Sequence, residues 1–223
     1  MRHSTFYCGG VMLLALSATA SASTFTFDTD PFAGTPVLQD PGRQIVGGEE
    51  FISFSTTNDV FDFDSKTFGV NGPVQFVNST ASGIPASGVN VVVLETFDND
   101  NDPLTPFGAG QAADLIANQI TTPGAGFFVY FNQSLDLARL VYSTDLSSSD
   151  ADLKILARML NFFGDEGRNQ LPDFTAANFE ITTAAAAVPE PSSLIMLLGA
   201  VVALGCHTLR RKRRSQLSDS SKA

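Results

Sequence analysis

Short segments in which apolar and polar residues alternate recur along the chain. They lie at residues 24–28, 50–55 and 60–64 and read Thr-Phe-Thr-Phe-Asp, Glu-Phe-Ile-Ser-Phe-Ser and Val-Phe-Asp-Phe-Asp. A period of two places every second side chain on one face of a β-strand, so each segment predicts a half-buried strand. Residues 89–94, which are apolar except for Asn90, and the aromatic-rich residues 127–131 are instead nearly continuous apolar runs, which is typical of central strands.

Clusters of Gly, Pro, Asn and Ser separate these segments and predict turns between them. Residues 73–77 are a further short strand candidate, and residues 110–120 predict a short helix. Many short strands with frequent turn signals favour a mainly β fold, a β-sandwich or a jelly-roll-like body with one or two short helices.

Residues 149–163 fit two structures. As a helix, Leu153, Leu156 and Leu160 would share one face, and Gly164 would stand where the helix ends. As a strand, residues 153–160 would pair with residues 137–142 in a hairpin, with Leu153, Ile155, Ala157 and Met159 facing inward. We favour the hairpin, because an amphipathic helix here would have to displace sheet surface to bury its apolar face.

The N-terminal residues have the composition of a secretory signal peptide. Arg2 and His3 form a short basic region, residues 11–16 are apolar, and Ala20-Ser21-Ala22 is a small-residue cleavage site. The sequence therefore predicts a signal peptide at residues 1–22 that is cut after Ala22.

The C-terminal residues combine a short motif, an apolar run and a basic cluster. The motif is Val188-Pro189-Glu190-Pro191, and the cluster is Arg210-Arg211-Lys212-Arg213-Arg214. Between them, the 16 residues 194–209 would span about 24 Å as a helix, against a hydrocarbon core of about 30 Å. We predict a single transmembrane helix whose basic flank, with the polar residues 215–223, stays in the cytoplasm. The alternative is an ordinary membrane anchor that is never processed.

This order of motif, membrane segment and basic cluster over residues 188–214 resembles the PEP-CTERM sorting signal of bacterial exported proteins. The resemblance implies recognition and cutting by an exosortase, after export through the secretion translocon. It implies an inner-membrane-anchored precursor and a mature form at the cell surface or in the extracellular matrix. The family is associated with extracellular polysaccharide and biofilm. Residues 23–187 would then be the exported domain.

The composition of residues 23–187 excludes several chemistries. Both histidines (His3 and His207) and both cysteines (Cys8 and Cys206) lie outside this range, and the chain has no Trp. Disulfides, His- or Cys-based zinc sites and catalytic triads are therefore excluded within it. The range carries 21 Asp and Glu against 6 Lys and Arg, a net charge of −15, which argues against nucleic-acid binding.

One acidic cluster suggests a metal site. Asp98, Asp100 and Asp102 alternate with asparagines, and oxygen ligands at this spacing can converge on calcium. The segment starts like an EF-hand loop and then departs from it, because Pro103 replaces the required Gly and Ala109 replaces the bidentate Glu. Two interpretations stay open: a simple calcium turn, or a solvated acidic loop with no metal. We expect no other cofactor.

Three functions follow as hypotheses. The first is a non-enzymatic exported surface or extracellular-matrix protein, associated with exopolysaccharide or biofilm. The second is a calcium-assisted carbohydrate- or matrix-binding module, in which Tyr130, Tyr142 or an exposed Phe would replace the missing Trp as the sugar platform. The third is a glycoside hydrolase that uses carboxylates alone. No catalytic pair of carboxylates can be identified in the sequence, and we favour the first hypothesis.

Overall fold

The fold is known from a computed structural model that describes residues 21–35, 42–102 and 104–183. The strands are β1 (Thr24–Phe27), β2 (Ile45–Val46), β3 (Glu50–Ile52), β4 (Val60–Asp64), β5 (Phe76–Ser79), β6 (Val91–Leu94), β7 (Gly126–Asn132), β8 (Leu137–Ser143), β9 (Leu153–Phe163) and β10 (Phe179–Thr182). The helices are α1 (Ser65–Phe68), α2 (Ala109–Ala117) and α3 (Gly164–Asn169). Short 3-10 turns occupy Ala81–Gly83, Leu171–Asp173 and Ala176–Asn178.

The smaller sheet has three parallel strands in the order β1-β4-β10. Its register aligns Phe61 of β4 with Phe25 and Phe179 on the two neighbouring strands. Because side chains alternate along a strand, these rings share one face. Threonines and acids occupy the other face, where the Thr182 hydroxyl donates to Asp62 at 2.8 Å. The alternation in the sequence thus becomes an apolar inner face and an acidic outer face.

The larger sheet has seven strands. Six follow the order β2-β9-β8-β7-β6-β5, and β3 also pairs with β9. Every residue of β6 and β7 is buried, which confirms the central positions predicted from their continuous apolar runs.

Two apolar cores cover the two faces of the larger sheet. The first core lies between the sheets, where Phe63 of β4 stacks on Phe127 of β7 with ring centroids 3.7 Å apart. The second core lies on the opposite face, where Ala112 and Ile116 of α2 pack near Phe128. The helix predicted at residues 110–120 is therefore present, and it covers the second face.

The prediction of a mainly β protein with two sheets and few short helices is confirmed. The pairing differs from a jelly roll, whose strands run antiparallel. Among the described strands, only β7–β8 and β8–β9 pair antiparallel, and the other six pairings are parallel. Parallel neighbours need a crossover connection, and α2 lies in the connection between β6 and β7.

Residues 153–163 form a strand, as the hairpin interpretation predicted. β9 runs antiparallel to β8, with a register shift that leaves Leu156 as an extra residue between Ile155 and Ala157. A bulge of this kind changes which face the following side chains occupy. Leu153 and Ile155 therefore enter the second core, whereas Ala157 and Met159 enter the first. All four are buried as predicted, but they do not share one face.

No helix within residues 21–35, 42–102 and 104–183 is long and apolar enough to cross a membrane. The membrane helix predicted at residues 194–209 lies outside the described residues, as does most of the signal peptide.

The close approach of strands at Gly126 predicts a steric effect. A Cβ added there would lie 2.5 Å from both the Asn90 carbonyl oxygen and Leu146 Cδ1. Gly126→Ala should therefore lower the free energy of unfolding by about 1–3 kcal/mol through overpacking. Gly124→Ala is the matched control, because its Cβ would meet nothing within 4 Å. Urea unfolding of both variants measures the difference, and equal stabilities would contradict this packing.

Candidate functional site

The acidic loop at residues 98–102 follows β6 on the protein surface. Asp98 Oδ1 accepts hydrogen bonds from the backbone N–H groups of Asp100 (3.1 Å) and Asn101 (2.9 Å). Asn101 has a φ of 57°, in the left-handed region that Asn tolerates better than most residues. The hydrogen bonds from Asn101 and Asp100 hold the pKa of Asp98 below its ordinary value. Asp98 therefore shapes the loop.

The other two carboxylates bind the same loop. Asp100 Oδ1 accepts from the N–H of Asp102 at 2.9 Å, and its Oδ2 accepts from the Thr105 hydroxyl at 2.7 Å. Asp102 Oδ1 accepts from the N–H of Leu104 at 2.9 Å. Asp side chains commonly bond to backbone groups two residues further along in this way, which stabilises turns.

The described residues contain no group of three or more acidic, His or Cys side chains that could hold a metal ion. Asp98 instead lines a shallow surface depression with Asn101, Pro106, Gln133 and Ser134. These groups offer hydrogen-bond donors and acceptors to a ligand. The calcium site at Asp98, Asp100 and Asp102 stays a prediction.

The two tyrosines of residues 23–187 are too buried to stack against a bound sugar. Tyr130 is fully buried in the second core, where its hydroxyl accepts from Asn132 Nδ2 at 3.0 Å. Tyr142 is buried in the first core and donates to the Phe68 carbonyl at 2.7 Å, and burial raises its pKa to about 12. Among the residues that the structure describes, the exposed aromatic rings are Phe51 and Phe163, at 63% and 60% exposure.

An ion cluster missed at the sequence level joins β8, β9 and the residues before β3. Glu49 Oε1 accepts from Arg139 Nη2 at 2.6 Å and from Arg158 Nε at 2.5 Å. The Glu49 side chain is 7% exposed and that of Arg139 is 12% exposed. Arg139 and Arg158 are opposite each other on neighbouring strands. One carboxylate therefore bridges two guanidinium groups that would otherwise repel.

This environment changes the ionisation of Glu49. Burial alone would raise its pKa, but a hydrogen bond from its own backbone, the hydrogen bond from Arg158 and the charge of Arg139 outweigh that effect. The pKa falls from 4.5 to about 2. Glu49 is therefore ionised throughout the neutral and mildly acidic range.

Two further cations hold the segment around Glu49. Lys154 Nζ donates to the Gly47 carbonyl at 2.6 Å. Arg43 donates to the carbonyls of Gly110 and Ala151 and pairs with Asp114 at 2.9 Å. Residues 43–49 are thus bound to the larger sheet and to α2 by four of the six Lys and Arg of residues 23–187.

The sequence did carry a signal for the ion cluster. Arg139, Lys154 and Arg158 interrupt strands that are mostly apolar, and a cation in such a strand needs a counter-charge when it is buried. The sequence could not identify Glu49 as the counter-charge, because it lies 90 residues from Arg139 and no local pattern links the two.

We predict that Glu49→Gln lowers the free energy of unfolding at pH 7 by about 2–3 kcal/mol, because it leaves two neighbouring guanidinium groups without their carboxylate. Since folding lowers the pKa of Glu49, the contribution of its carboxylate to the free energy of unfolding is complete above pH 4.5. That contribution is lost as the pH falls towards about 2. Denaturant unfolding at pH 7, 4 and 2.5 tests both statements, and the penalty should shrink at the lowest pH.

Glu50→Gln is the matched control for this experiment. Glu50 is the next residue and is exposed, so its substitution should change the free energy of unfolding by less than about 0.5 kcal/mol. Equal penalties for the two variants, or a Glu49→Gln penalty that does not depend on pH, would contradict the assigned role of the cluster.

The residues predicted to direct export lie almost entirely outside the described part of the chain. These are Ala20, the motif Val188, Pro189, Glu190 and Pro191, and the cluster Arg210, Arg211, Lys212, Arg213 and Arg214. Ala22 is described and is exposed, just before β1.

Comparison with known proteins identifies the C-terminal signal. No curated protein and no solved structure matches this chain. The PEP-CTERM protein-sorting motif matches residues 187–214, which confirms the resemblance given by Pro189, Glu190, Pro191 and the basic cluster. This chain therefore carries a PEP-CTERM sorting signal, which implies export as a membrane-anchored precursor and processing by an exosortase-type enzyme.

Proposed function

We propose that this protein is a non-enzymatic component of the bacterial surface or extracellular matrix, delivered as a folded β-rich domain. The sorting motif at residues 187–214 carries the proposal, because it places the preceding residues outside the cytoplasm. The partners are then the secretion translocon, an exosortase-type enzyme and, in the matrix, extracellular polysaccharide.

The surface of the domain supports this proposal. The outer face of the smaller sheet carries Asp62, Asp64 and Glu180 next to threonines, and residues 23–187 have a net charge of −15. A high net charge favours solubility and opposes self-association. Such a surface suits a protein that stays hydrated outside the cell.

The chemistry of the domain also supports a structural role. Its most strongly perturbed carboxylate, that of Glu49, is held ionised by two arginines. A general acid needs the opposite shift, a pKa raised towards neutrality. Asp98 and Asp145 also have a lowered pKa, and each accepts hydrogen bonds from backbone N–H groups, an arrangement that shapes turns.

Processing is the first test of this function. In cells with an active exosortase, the surface fraction should contain chains that lack residues 1–22 and the segment from about residue 194 onward. Intact-mass measurement of that fraction identifies both ends. Replacing Pro189, Glu190 and Pro191 with Ala should leave the unprocessed precursor in the inner membrane.

A matched control replaces Ser215 and Ser218 with Ala, in the polar residues after the basic cluster. This variant should be processed normally. Surface chains that retain Arg210–Arg214 in most molecules would contradict exosortase processing and leave an ordinary membrane anchor.

The calcium-assisted binding module is the alternative function, and a thermal-shift experiment separates the two. If the acidic loop binds no metal, calcium and magnesium at equal ionic strength should raise the melting temperature equally, by screening the negative charge. A larger shift with calcium that disappears in Asp100→Ala would favour the alternative, because a ligand of the folded state stabilises it. Asp150→Ala, an exposed acid in another turn, is the control.

A further inference from the structure

A second buried carboxylate differs from Glu49 in having no side-chain cation. Asp59 is 6% exposed and immediately precedes β4. Its Oδ2 accepts from the N–H of Ser55 at 2.9 Å, and its Oδ1 accepts from the N–H of Ser23 at 2.8 Å. Within the described part of the chain, no Lys or Arg forms an ion pair with it. A buried carboxylate in this situation is unfavourable unless a positive charge reaches it.

The nitrogen that faces Asp59 belongs to the residue after the predicted signal-peptide cleavage site. The Ser23 carbonyl accepts from the N–H of Val60 at 3.0 Å, and the parallel pairing of β1 with β4 begins at the next residue, Thr24. Ser23 is therefore fixed on both sides of its Cα, by Asp59 through its nitrogen and by Val60 through its carbonyl. Ala22 is exposed and lies outside the strand.

Cleavage changes the charge of that nitrogen. In the precursor it is a neutral amide with one N–H. When a signal peptidase cuts after Ala22, water adds to the Ala22 carbonyl carbon, the C–N bond to Ser23 breaks, and Ala22 leaves as a carboxylate. The freed nitrogen takes up a proton and becomes an α-ammonium group with three N–H donors. The new positive charge arises at the nitrogen that already lies 2.8 Å from Asp59.

We propose that Asp59 is the binding site for the mature N-terminal α-ammonium group, so that signal-peptide removal supplies a cation to a buried carboxylate. The proposal rests on the proposed export with cleavage after Ala22. Charge-assisted hydrogen bonds are about twice as strong as neutral ones, so the mature chain holds β1 against β4 more firmly than the precursor does. The folded domain is thereby more stable in its exported form.

The test compares two forms of the chain that differ only at the N-terminus. One form is residues 23–223, with a free amine at Ser23, and the other is residues 21–223, which retains Ser21 and Ala22. Both forms are released from a cleavable fusion and purified in detergent. Retention converts the Ser23 nitrogen back into an amide. It should lower the melting temperature by roughly 2–4 °C, the shift expected for a modest loss of stability in a domain of this size.

Substitution at Asp59 identifies the cause of that difference. In Asp59→Asn the free and extended forms should melt at the same temperature. Asp62→Asn is the matched control, because Asp62 lies on the same strand and bonds to Thr182 rather than Ser23, so the difference should persist. The proposal is overturned if the two wild-type forms melt equally, or if the difference survives in Asp59→Asn.

A chemical measurement keeps the test decisive where Asp59→Asn does not fold. An aldehyde reagent selective for α-amines should modify Ser23 several-fold more slowly in the folded free form than in urea. Equal rates would overturn the proposal. The N-terminus of the exported chain is identified separately by mass spectrometry, and a terminus other than Ser23 overturns the predicted cleavage site. The melting comparison uses proteins with defined termini, so it reports on the role of Asp59 alone.

Discussion

The stacking of phenylalanine rings between the two sheets is the interaction on which this fold depends. Phe63 of the smaller sheet stacks on Phe127 of the larger one, and Phe61 stacks on Phe54 at 4.1 Å between ring centroids. Each aromatic side chain buries a large apolar area, and stacked pairs add to that gain. A domain without disulfides must obtain its stability from such burial. Of the 18 Phe of residues 23–187, all except Phe51 and Phe163 are buried or half-buried and supply it.

Charge is the second constraint, because an apolar interior with few cations leaves buried carboxylates difficult to neutralise. The domain has six Lys and Arg, and two of them are used on Glu49. Asp59 receives only backbone N–H groups. A terminal amine produced by processing would provide the missing positive charge without adding a basic residue to the sequence. The acidic composition and the predicted maturation are in this way connected through one carboxylate.

Most of the strands and the two-sheet arrangement could be predicted from the sequence, because alternation and turn residues are local signals, but β2 and β10 were not predicted. The predictions at residues 60–64 and 127–131 became β4 and the interior of β7. The parallel pairing could not be predicted, since β4 pairs with strands 36 and 118 residues away, at Thr24 and Phe179. The bulge at Leu156 could not be predicted either, because it is defined only by the register between β9 and β8. For the candidate site, metal binding by the acidic loop stays a prediction, and the Glu49 cluster could not be predicted because it depends on tertiary contacts.

The smaller sheet depends on residues from both ends of the described domain. β4 is paired on one side by β1, the first strand of the domain, and on the other by β10, the last. The sheet is therefore incomplete until Phe179–Thr182 has paired with β4, and contacts between such distant residues are slow to form. In the sequence, β10 ends 12 residues before the apolar run that begins at Leu194. The sorting signal at residues 187–214 begins five residues after this strand, so the segment that completes the smaller sheet lies directly beside the segment that directs processing.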